Sequence, residues 1–371
     1  MGNVPNLRFP EFTREWEETK IGAVLSIGNG RDYKQLKSGN VPVFGTGGYM
    51  TSVDEYIYDG ATTFIGRKGT INKPFYFNGK FWTVDTLFYT YKFNRITPEF
   101  TYCLFQTINW LTYNEASGVP SLSKATIEKI KIHIPSIAEQ NKISKLLFAI
   151  DERIATQNKI IEDLKKLKSA IIGKIFNEPH SNKIRLGDIG SYIRGLTYSN
   201  DDVVEQDGVF VMRSNNIING SLLDYQHNIV SVNKQILREQ QLQDGDIIIC
   251  MANGSSSLVG KSSFYDGNCS TPITVGAFCG IYRSKEPIVK WLFQTSKYRR
   301  YIGNSLQGGN GAIANLNGDD ILRMSFSIPD APAKDKAVKL LSSVDALLES
   351  NLLFCSLYTE QKKFLLRQMF I

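Results

Sequence analysis

The stretch GSSSLVGKSS (254–263) is the nearest approach to a catalytic motif in this 371-residue chain. A phosphate-cradling loop needs four residues between its first Gly and the Gly-Lys pair, followed by a helix whose N-terminus meets the phosphates. Here five residues intervene, and SSFYDGN behind the lysine is a turn sequence. Nucleotide hydrolysis is therefore not expected. The five cysteines (Cys103, Cys250, Cys269, Cys279, Cys355) form no CxxC pair, which speaks against a zinc ribbon or a disulfide frame. His133, His180 and His227 lie far apart without ligand spacing, so no metal site is expected. No Gly-x-Ser-x-Gly, carboxylate couple or Cys/His couple emerges.

Two further near-motifs fail on their context. Asn72-Lys73-Pro74-Phe75 departs from the Asn-Pro-Pro-Phe pattern of amino-group methyltransferases at its second residue. GNGAIA (309–314) fits Gly-x-Gly-x-x-Ala but follows no buried strand. Within the chain, NKPFYFNG and GKSSFYDG align, with Lys73 on Lys261 and Asn78-Gly79 on Asp266-Gly267, and this reads as a hairpin with a type I′ turn.

What remains is binding chemistry. Gly30-Arg31-Asp32-Tyr33-Lys34, Gly45-Thr46-Gly47-Gly48-Tyr49, Gly66-Arg67-Lys68-Gly69, Arg213-Ser214-Asn215-Asn216 and Asn253-Gly254-Ser255-Ser256 all fall in loops predicted to follow strands. Arg, Lys and Asn can address guanine or adenine edges, and Gly-rich backbone permits close approach to phosphate. The candidate DNA-contacting residues are Arg31, Lys34, Tyr49, Arg67 and Lys68 in the first half. In the second they are Arg194, Tyr198, Arg213, Asn215, Asn253 and Lys261.

The elements that must position them come in two copies. IKIHIPSIAEQNKISKLLFAIDERI (130–154) lies over MSFSIPDAPAKDKAVKLLSSVDALL (324–348), with Ile134, Pro135, Lys142, Leu146, Leu147 and Asp151 falling on Ile328, Pro329, Lys336, Leu340, Leu341 and Asp345. KIGAVLSIGNG (20–30) likewise lies over RLGDIGSYIRG (185–195). The separation grows from 165 to 194 residues, so the second copy carries 29 extra residues in its middle. Each copy ends in a heptad seam: Ile143, Leu147, Ile150, Ile154, Ile161 and Leu164 in one, Leu341, Val344, Leu348, Cys355, Tyr358 and Leu365 in the other, with Gln157 and Lys168 interrupting the first. A helix over 139–176 would be a rod of roughly 57 Å.

Short β-branched and aromatic runs between Gly, Asn, Asp and Pro clusters precede each helix, with helical patches near 98–113 and 287–303. The predicted fold is α+β: two β-rich mixed domains in tandem (1–136 and 180–330), each followed by a long helix (137–179 and 331–371). The two helices pair as an antiparallel coiled-coil spacer with pseudo-twofold symmetry.

Charge and hydropathy narrow the class. Net charge is +7, yet residues 1–135 carry 15 basic and 12 acidic groups and residues 183–330 carry 14 of each. A strong nonspecific nucleic-acid binder concentrates far more positive charge. No run approaches the roughly 18 uninterrupted apolar residues of a membrane span, and MGNVPNLRFPEFTREW lacks a signal-peptide pattern. A cytoplasmic protein without membrane contact is expected.

The repeat, the seams and the loops together resemble the specificity subunit of type I restriction-modification systems. LRFPEF (7–12), WEETKIGAV (16–24), IGRKGTINKPFYF (65–77) and SGVPSLSKATIEKIKIHIPS (117–136) carry the resemblance, with the helix segment 139–176 and its second copy at 333–370. It implies two target recognition domains that read a bipartite, asymmetric site on double-stranded DNA. It also implies docking to two modification subunits, which methylate adenine with S-adenosylmethionine, and to restriction subunits, which use ATP and Mg. No cofactor and no catalysis belong to this chain on that reading. In the second copy SLSKATIEKI becomes NLNGDDILRM, so Ser123, Lys124 and Glu128 lack like counterparts, and Phe354 and Cys355 replace Ile160 and Ile161. A non-catalytic two-domain protein-interaction scaffold is the alternative; salt-dependent duplex binding separates the two.

Overall fold

The computed structural model describes residues 3–178, 182–306 and 314–371. The chain forms two compact units, one from Met1–Asn158 with Leu353–Ile371, the other from Lys159–Leu352. Both long helices are thus shared out, the first half of one and the last half of the other belonging to unit 1.

Unit 1 runs β1 (Glu17–Lys20), α1 (Ile21–Val24), β2 (Ser26–Asn29), β3 (Ser38–Gly45), β4 (Gly48–Val53), β5 (Tyr58–Gly66), β6 (Phe75–Thr83), β7 (Leu87–Tyr91), α2 (Pro98–Phe105), α3 (Lys124–Lys129), β8 (Lys131–Ile134) and the start of α4 (Ile137–Asn177). Its six-stranded sheet has the order β2-β7-β5-β6-β3-β4, antiparallel except where β3 meets β6. Successive residues of β5 serve opposite faces, as the pleat requires. Phe64 joins Phe81 and Leu87 on one side, whereas Ile65 joins Phe88, Phe100 and Trp110 on the other. The Asn78-Gly79 turn expected from sequence does not form. Those residues lie inside β6, where Gly79 pairs with Gly60 and seven consecutive pairs along β5 outweigh the local turn preference.

Unit 2 begins in the second half of α4 and runs β9 (Asn182–Arg185), α5 (Leu186–Ile189), β10 (Gly190–Arg194), β11 (Val203–Val204), β12 (Val209–Met212), β13 (Val230–Val232), β14 (Ile247–Cys250), β15 (Ala252–Asn253), β16 (Ser262–Phe264), β17 (Ile273–Val275), β18 (Cys279–Ser284), α6 (Val289–Leu292), α7 (Ser296–Leu306), β19 (Ala314–Asn315), α8 (Gly318–Leu322), β20 (Ser325–Ile328) and the start of α9 (Ala331–Met369). Two four-stranded sheets form, β10-β18-β14-β16 and β11-β13-β12-β17. The run IIIC of β14 is buried on both faces, Ile247 and Ile249 toward one cluster, Ile248 and Cys250 toward another. That accounts for its unbroken apolar character.

The ladders also place the extra residues of the second copy. Phe44 and Met212 occupy the same place on the parallel strand pair. Gly66 and Cys250 likewise end the central strand opposite Leu87 and Cys279. The separation is 168 in the first case and 184 in the second, so 16 of the 29 extra residues enter between β12 and β14. There the two-residue turn of unit 1 (46–47) becomes a long loop before β13. A further break splits the equivalent of β6 into β16 and β17, and here the Asp266-Gly267 pair does sit outside a strand. Ser123 and Asn317 differ chemically yet do one job: each caps the short helix behind it, accepting from the N–H of Thr126 and Asp320.

Helix α4 starts after Pro135 with Ser136, whose backbone carbonyl accepts from the Gln140 N–H at 2.9 Å. Glu139, three residues on, is buried and turned away from the cap. It takes two bonds of 2.7 Å from the Arg8 guanidinium and one of 3.2 Å from the Trp16 indole, tying the leading segment to unit 1.

In unit 1 the start of α4 meets the end of α9: Asp151 with Lys362 at 2.5 Å, the Arg153 guanidinium over the Tyr358 ring, and Asn158 with Cys355. In unit 2 the end of α4 meets the start of α9: Lys168 with Asp345 at 2.7 Å, and Ile172 packed with Leu341 and Trp291. Partner numbers rise on one helix as they fall on the other, so within each unit the helices run antiparallel. Of the seam residues, Ile143, Leu147, Ile150, Ile161, Leu341, Val344 and Leu348 are buried; Ile154, Leu164, Cys355, Tyr358 and Leu365 are partly so.

Lys168, an interruption of the stripe by sequence, is itself buried. Its Nζ also donates to the Gly220 carbonyl at 2.8 Å, and Asp345 further receives Lys290 at 2.8 Å and the Trp291 indole at 3.1 Å. Burial lowers the affinity of the Lys168 amine for its proton, and Asp345 opposes that. Over an 18-residue window α9 reaches a mean hydropathy of 1.3, in the range of a membrane span. Polar residues interrupt the stretch, so it contains no long unbroken apolar run.

Candidate nucleic-acid interface

In each unit one edge is assembled from the same five pieces. A glycine just past β2 or β10 is followed by a residue whose N–H reaches a more distant strand: Arg31 to the Thr83 carbonyl on β6 at 2.8 Å, Leu196 to the Val275 carbonyl on β17 at 2.7 Å. The parallel strand sends a carbonyl to the next turn, Phe44 accepting from Val84 and Met212 from Gly276. Those turns, 84–87 and 276–279, close with the N–H of Leu87 on Val84 and of Cys279 on Gly276. The central strand then hands two N–H groups to the turn. Arg67 and Lys68 donate to the Thr86 carbonyl at 2.8 and 3.3 Å, Met251 and Ala252 to the Phe278 carbonyl at 2.9 and 3.1 Å. Finally Leu122 donates to the Arg67 carbonyl and Leu316 to the Met251 carbonyl.

Two glycines make this edge possible. A Cβ on Gly30 would stand 1.9 Å from the Val84 carbonyl oxygen, and one on Gly195 2.2 Å from the Gly276 oxygen. Close approach of two backbones requires the missing side chain.

The unit 1 edge carries Arg31, Arg67 and Lys68. Arg67 is half-buried, its guanidinium over the Phe88 ring and 3.3 Å from the Asp85 carbonyl, while Arg31 and Lys68 are exposed. Lys34 lies beyond Arg31, its N–H on the Asp32 carboxylate at 3.1 Å. Tyr49 is not in a loop: it is on β4, its hydroxyl 3.1 Å from the Ser52 hydroxyl and its ring edge-on to Phe44. The short 46–47 connection lets β4 begin at Gly48 and draws Tyr49 into the sheet.

The unit 2 edge carries Arg213, Asn215 and Asn253. Arg213 donates its N–H to the Asn216 side chain at 2.9 Å and reaches the Asn228 carbonyl. Asn253 sits on β15, its amide 3.3 Å from the Ser214 hydroxyl. Asn216 belongs to the structure rather than the surface: it is fully buried and also bonds the carbonyls of Asp224 and His227. Tyr198 lies beside Gly276. Arg194 ends β10 and lines a cleft of about 550 Å³ with Ala252, Ala277, Phe278 and Asn315. Lys261 is half-buried between Gly260 and β16, its carbonyl held by the Cys250 N–H.

Sequence reading passes over Phe278. It is 66% exposed at the tip of the 276–279 turn, and its type and its neighbours Cys279 and Gly280 read as strand. GSSSLVGKSS forms a short 3-10 turn (Ser256–Leu258) and then β16, with no helix behind the lysine. Residues 309–313 of GNGAIA lie outside the described residues, as does His180. No group of three or more metal-ligating side chains occurs among the described residues.

Each unit thus carries an edge of one backbone design dressed with different side chains, and comparison with known proteins gives the class of the chain. Residues 13–166 and 180–353 each match the family described as type I restriction modification DNA specificity domain, and the chain belongs to it. It is 32% identical over 171 residues to the EcoKI specificity subunit of Escherichia coli (strain K12), a match over 43% of this chain and 34% of that protein. It is 23% identical over 342 residues to a putative type I restriction enzyme specificity subunit of Haemophilus influenzae, covering 84% of this chain and 82% of that one. The crystal structure of the S subunit of a type I restriction-modification system from M. genitalium shares the fold, with a TM-score of 0.69 over 99% of both chains at 15% identity.

Proposed function

We propose that this chain is the DNA-reading subunit of a type I restriction-modification complex, each unit recognising one half of a bipartite, asymmetric duplex target. The observation that carries this is the twin edge: one backbone frame, two sets of side chains. Arg31, Arg67 and Lys68 suit guanine edges and phosphates on one side, Arg213, Asn215 and Asn253 adenine and guanine edges on the other. The chain supplies recognition; its partners supply chemistry. On this reading two modification subunits bring S-adenosylmethionine and methylate adenine, and restriction subunits bring ATP and Mg. The modest charge of both units fits a subunit that binds DNA as part of such an assembly, and a cytoplasmic location follows from that work.

Mapping adenine methylation in cells expressing this chain with its modification partner tests the proposal. A motif of two defined halves separated by a fixed run of unread base pairs is expected. Methylation at a single contiguous site, or none above the level without this chain, overturns it.

A further inference from the structure

The turn 276–279 offers unit 2 something its counterpart lacks. By backbone bonding Asp85 and Thr86 of unit 1 stand where Ala277 and Phe278 stand in unit 2, and Arg67 and Lys68 where Met251 and Ala252 stand. The unit 1 tip is polar and flanked by cations. The unit 2 tip is apolar, and Met251 beneath it is buried at 2% exposure. Phe278 lines one cleft with the exposed Arg194 and with Ala252, Ala277 and Asn315, and its carbonyl accepts from the N–H of Ala252, the residue before Asn253. A ring left 66% in water contributes little to the core. The turn is tied to the central strand through the Phe278 carbonyl, which accepts from Met251 and Ala252, rather than through its ring.

We propose that Phe278 is a specificity-determining residue of unit 2 that reads a thymine by apolar contact with its C5 methyl group in the major groove. The inference rests on the DNA-reading function proposed above. The thymine methyl is the one apolar feature of the major-groove code, and aromatic or small apolar side chains are its natural partners. Asn253, next to Ala252 on β15, would address the adenine paired with that thymine by exchanging its 3.3 Å bond to the Ser214 hydroxyl for the base. At the same tip Asp85 and Thr86 can accept or donate a hydrogen bond but offer no comparable apolar face. One position of the fold thus reads a methyl group in one half-site and a hydrogen-bonding edge in the other.

The test uses the assembled complex of this chain with its modification subunits and duplexes carrying the mapped target. Each thymine is replaced in turn by deoxyuridine, which removes only the methyl group. For the wild-type complex one replacement in one half-site should weaken binding by roughly three- to tenfold, the scale of one buried methyl group. For Phe278→Ser, and for Phe278→Asn, neither of which offers the thymine an apolar face, that replacement should have no effect. Lys68→Ala should leave the uridine effect intact. If no thymine replacement matters to the wild-type complex, or if the effect persists in both Phe278 variants, the inference fails while the bipartite motif stands. If the wild-type complex shows no bipartite target, the underlying reading falls and takes this inference with it.

Discussion

The Asp–Lys pairs of the two units are copies of one device, yet they sit in different surroundings. Asp151 and Asp345 fall at equivalent places in the repeat, as do Lys168 and Lys362. In unit 2 the Asp345 side chain is 6% exposed, and its two oxygens meet Lys168, Lys290 and the Trp291 indole. In unit 1 Asp151 is 28% exposed and, among the described residues, pairs with Lys362, while its buried Oδ2 has no hydrogen-bonding partner among them. There Tyr102 lays its ring against Lys362 instead. A polar pair in an otherwise apolar seam fixes which residues of two helices stand opposite each other. The comparison shows a register device kept twice with its supporting shell rebuilt, much as the recognition edge is kept twice with its tip rebuilt.

That contrast can be broken most forcefully at Asp345. Asp345→Ala leaves Lys168 and Lys290 without their counter-charge and should cost unit 2 about 3–5 kcal/mol. Asp151→Ala should cost unit 1 about 1–3 kcal/mol, because Asp151 is 28% exposed and a single lysine loses its counter-charge. Hydrogen exchange read separately over 159–352 and over the rest of the chain checks both, and equal losses would remove the distinction. Glu139→Ala should cost unit 1 about 3 kcal/mol by stranding Arg8 and the Trp16 indole. The equivalent place in unit 2 is Ala333, where the reverse change to Glu should stabilise nothing measurable by urea unfolding. Gly30→Ala and Gly195→Ala should each cost about 1–3 kcal/mol through backbone overlap at the recognition edge, each impairing binding to one half-site and sparing the other. Lys68→Ala is the gentlest: stability should stay within about 0.5 kcal/mol, while the slope of log affinity against log salt should fall by about 1 if the ammonium neutralises a phosphate.

Much of the architecture was legible because it is periodic. The heptads of α4 and α9 and the residue-by-residue match of 130–154 with 324–348 report packing that repeats along the chain. What could not be read depends on partners remote in sequence. Lys168 looks like a flaw in a stripe until Asp345 stands opposite it. Asn78-Gly79 carries a turn signal, overridden by the ladder to β5. Ser123 and Asn317 look unrelated as letters but are interchangeable as caps. LFQT occurs at both 104–107 and 292–295, a four-residue signal that would have marked the helical patches as equivalent.

The recognition edge was half legible. Gly-rich loops with Arg, Lys and Asn drew attention to most of its pieces, and the fold gathers Arg31, Arg67 and Lys68 on one edge and Arg213 and Asn253 on another. Tyr49 was misplaced because the length of a turn, not the residues in it, decided where β4 began. Phe278 gave no signal, since a phenylalanine beside a buried strand reads as core until its exposure is known.

On the proposed function each unit reads its own half-site through its own edge. The most direct measurement is the methylated motif produced by a chain in which the unit 1 tip residues Asp85 and Thr86 are replaced by Ala and Phe, the residues of unit 2. Compared with the unaltered chain, one half of the motif should change or lose definition, while the other half and the spacing between them stay as they were. A motif altered in both halves, or in neither, would contradict it.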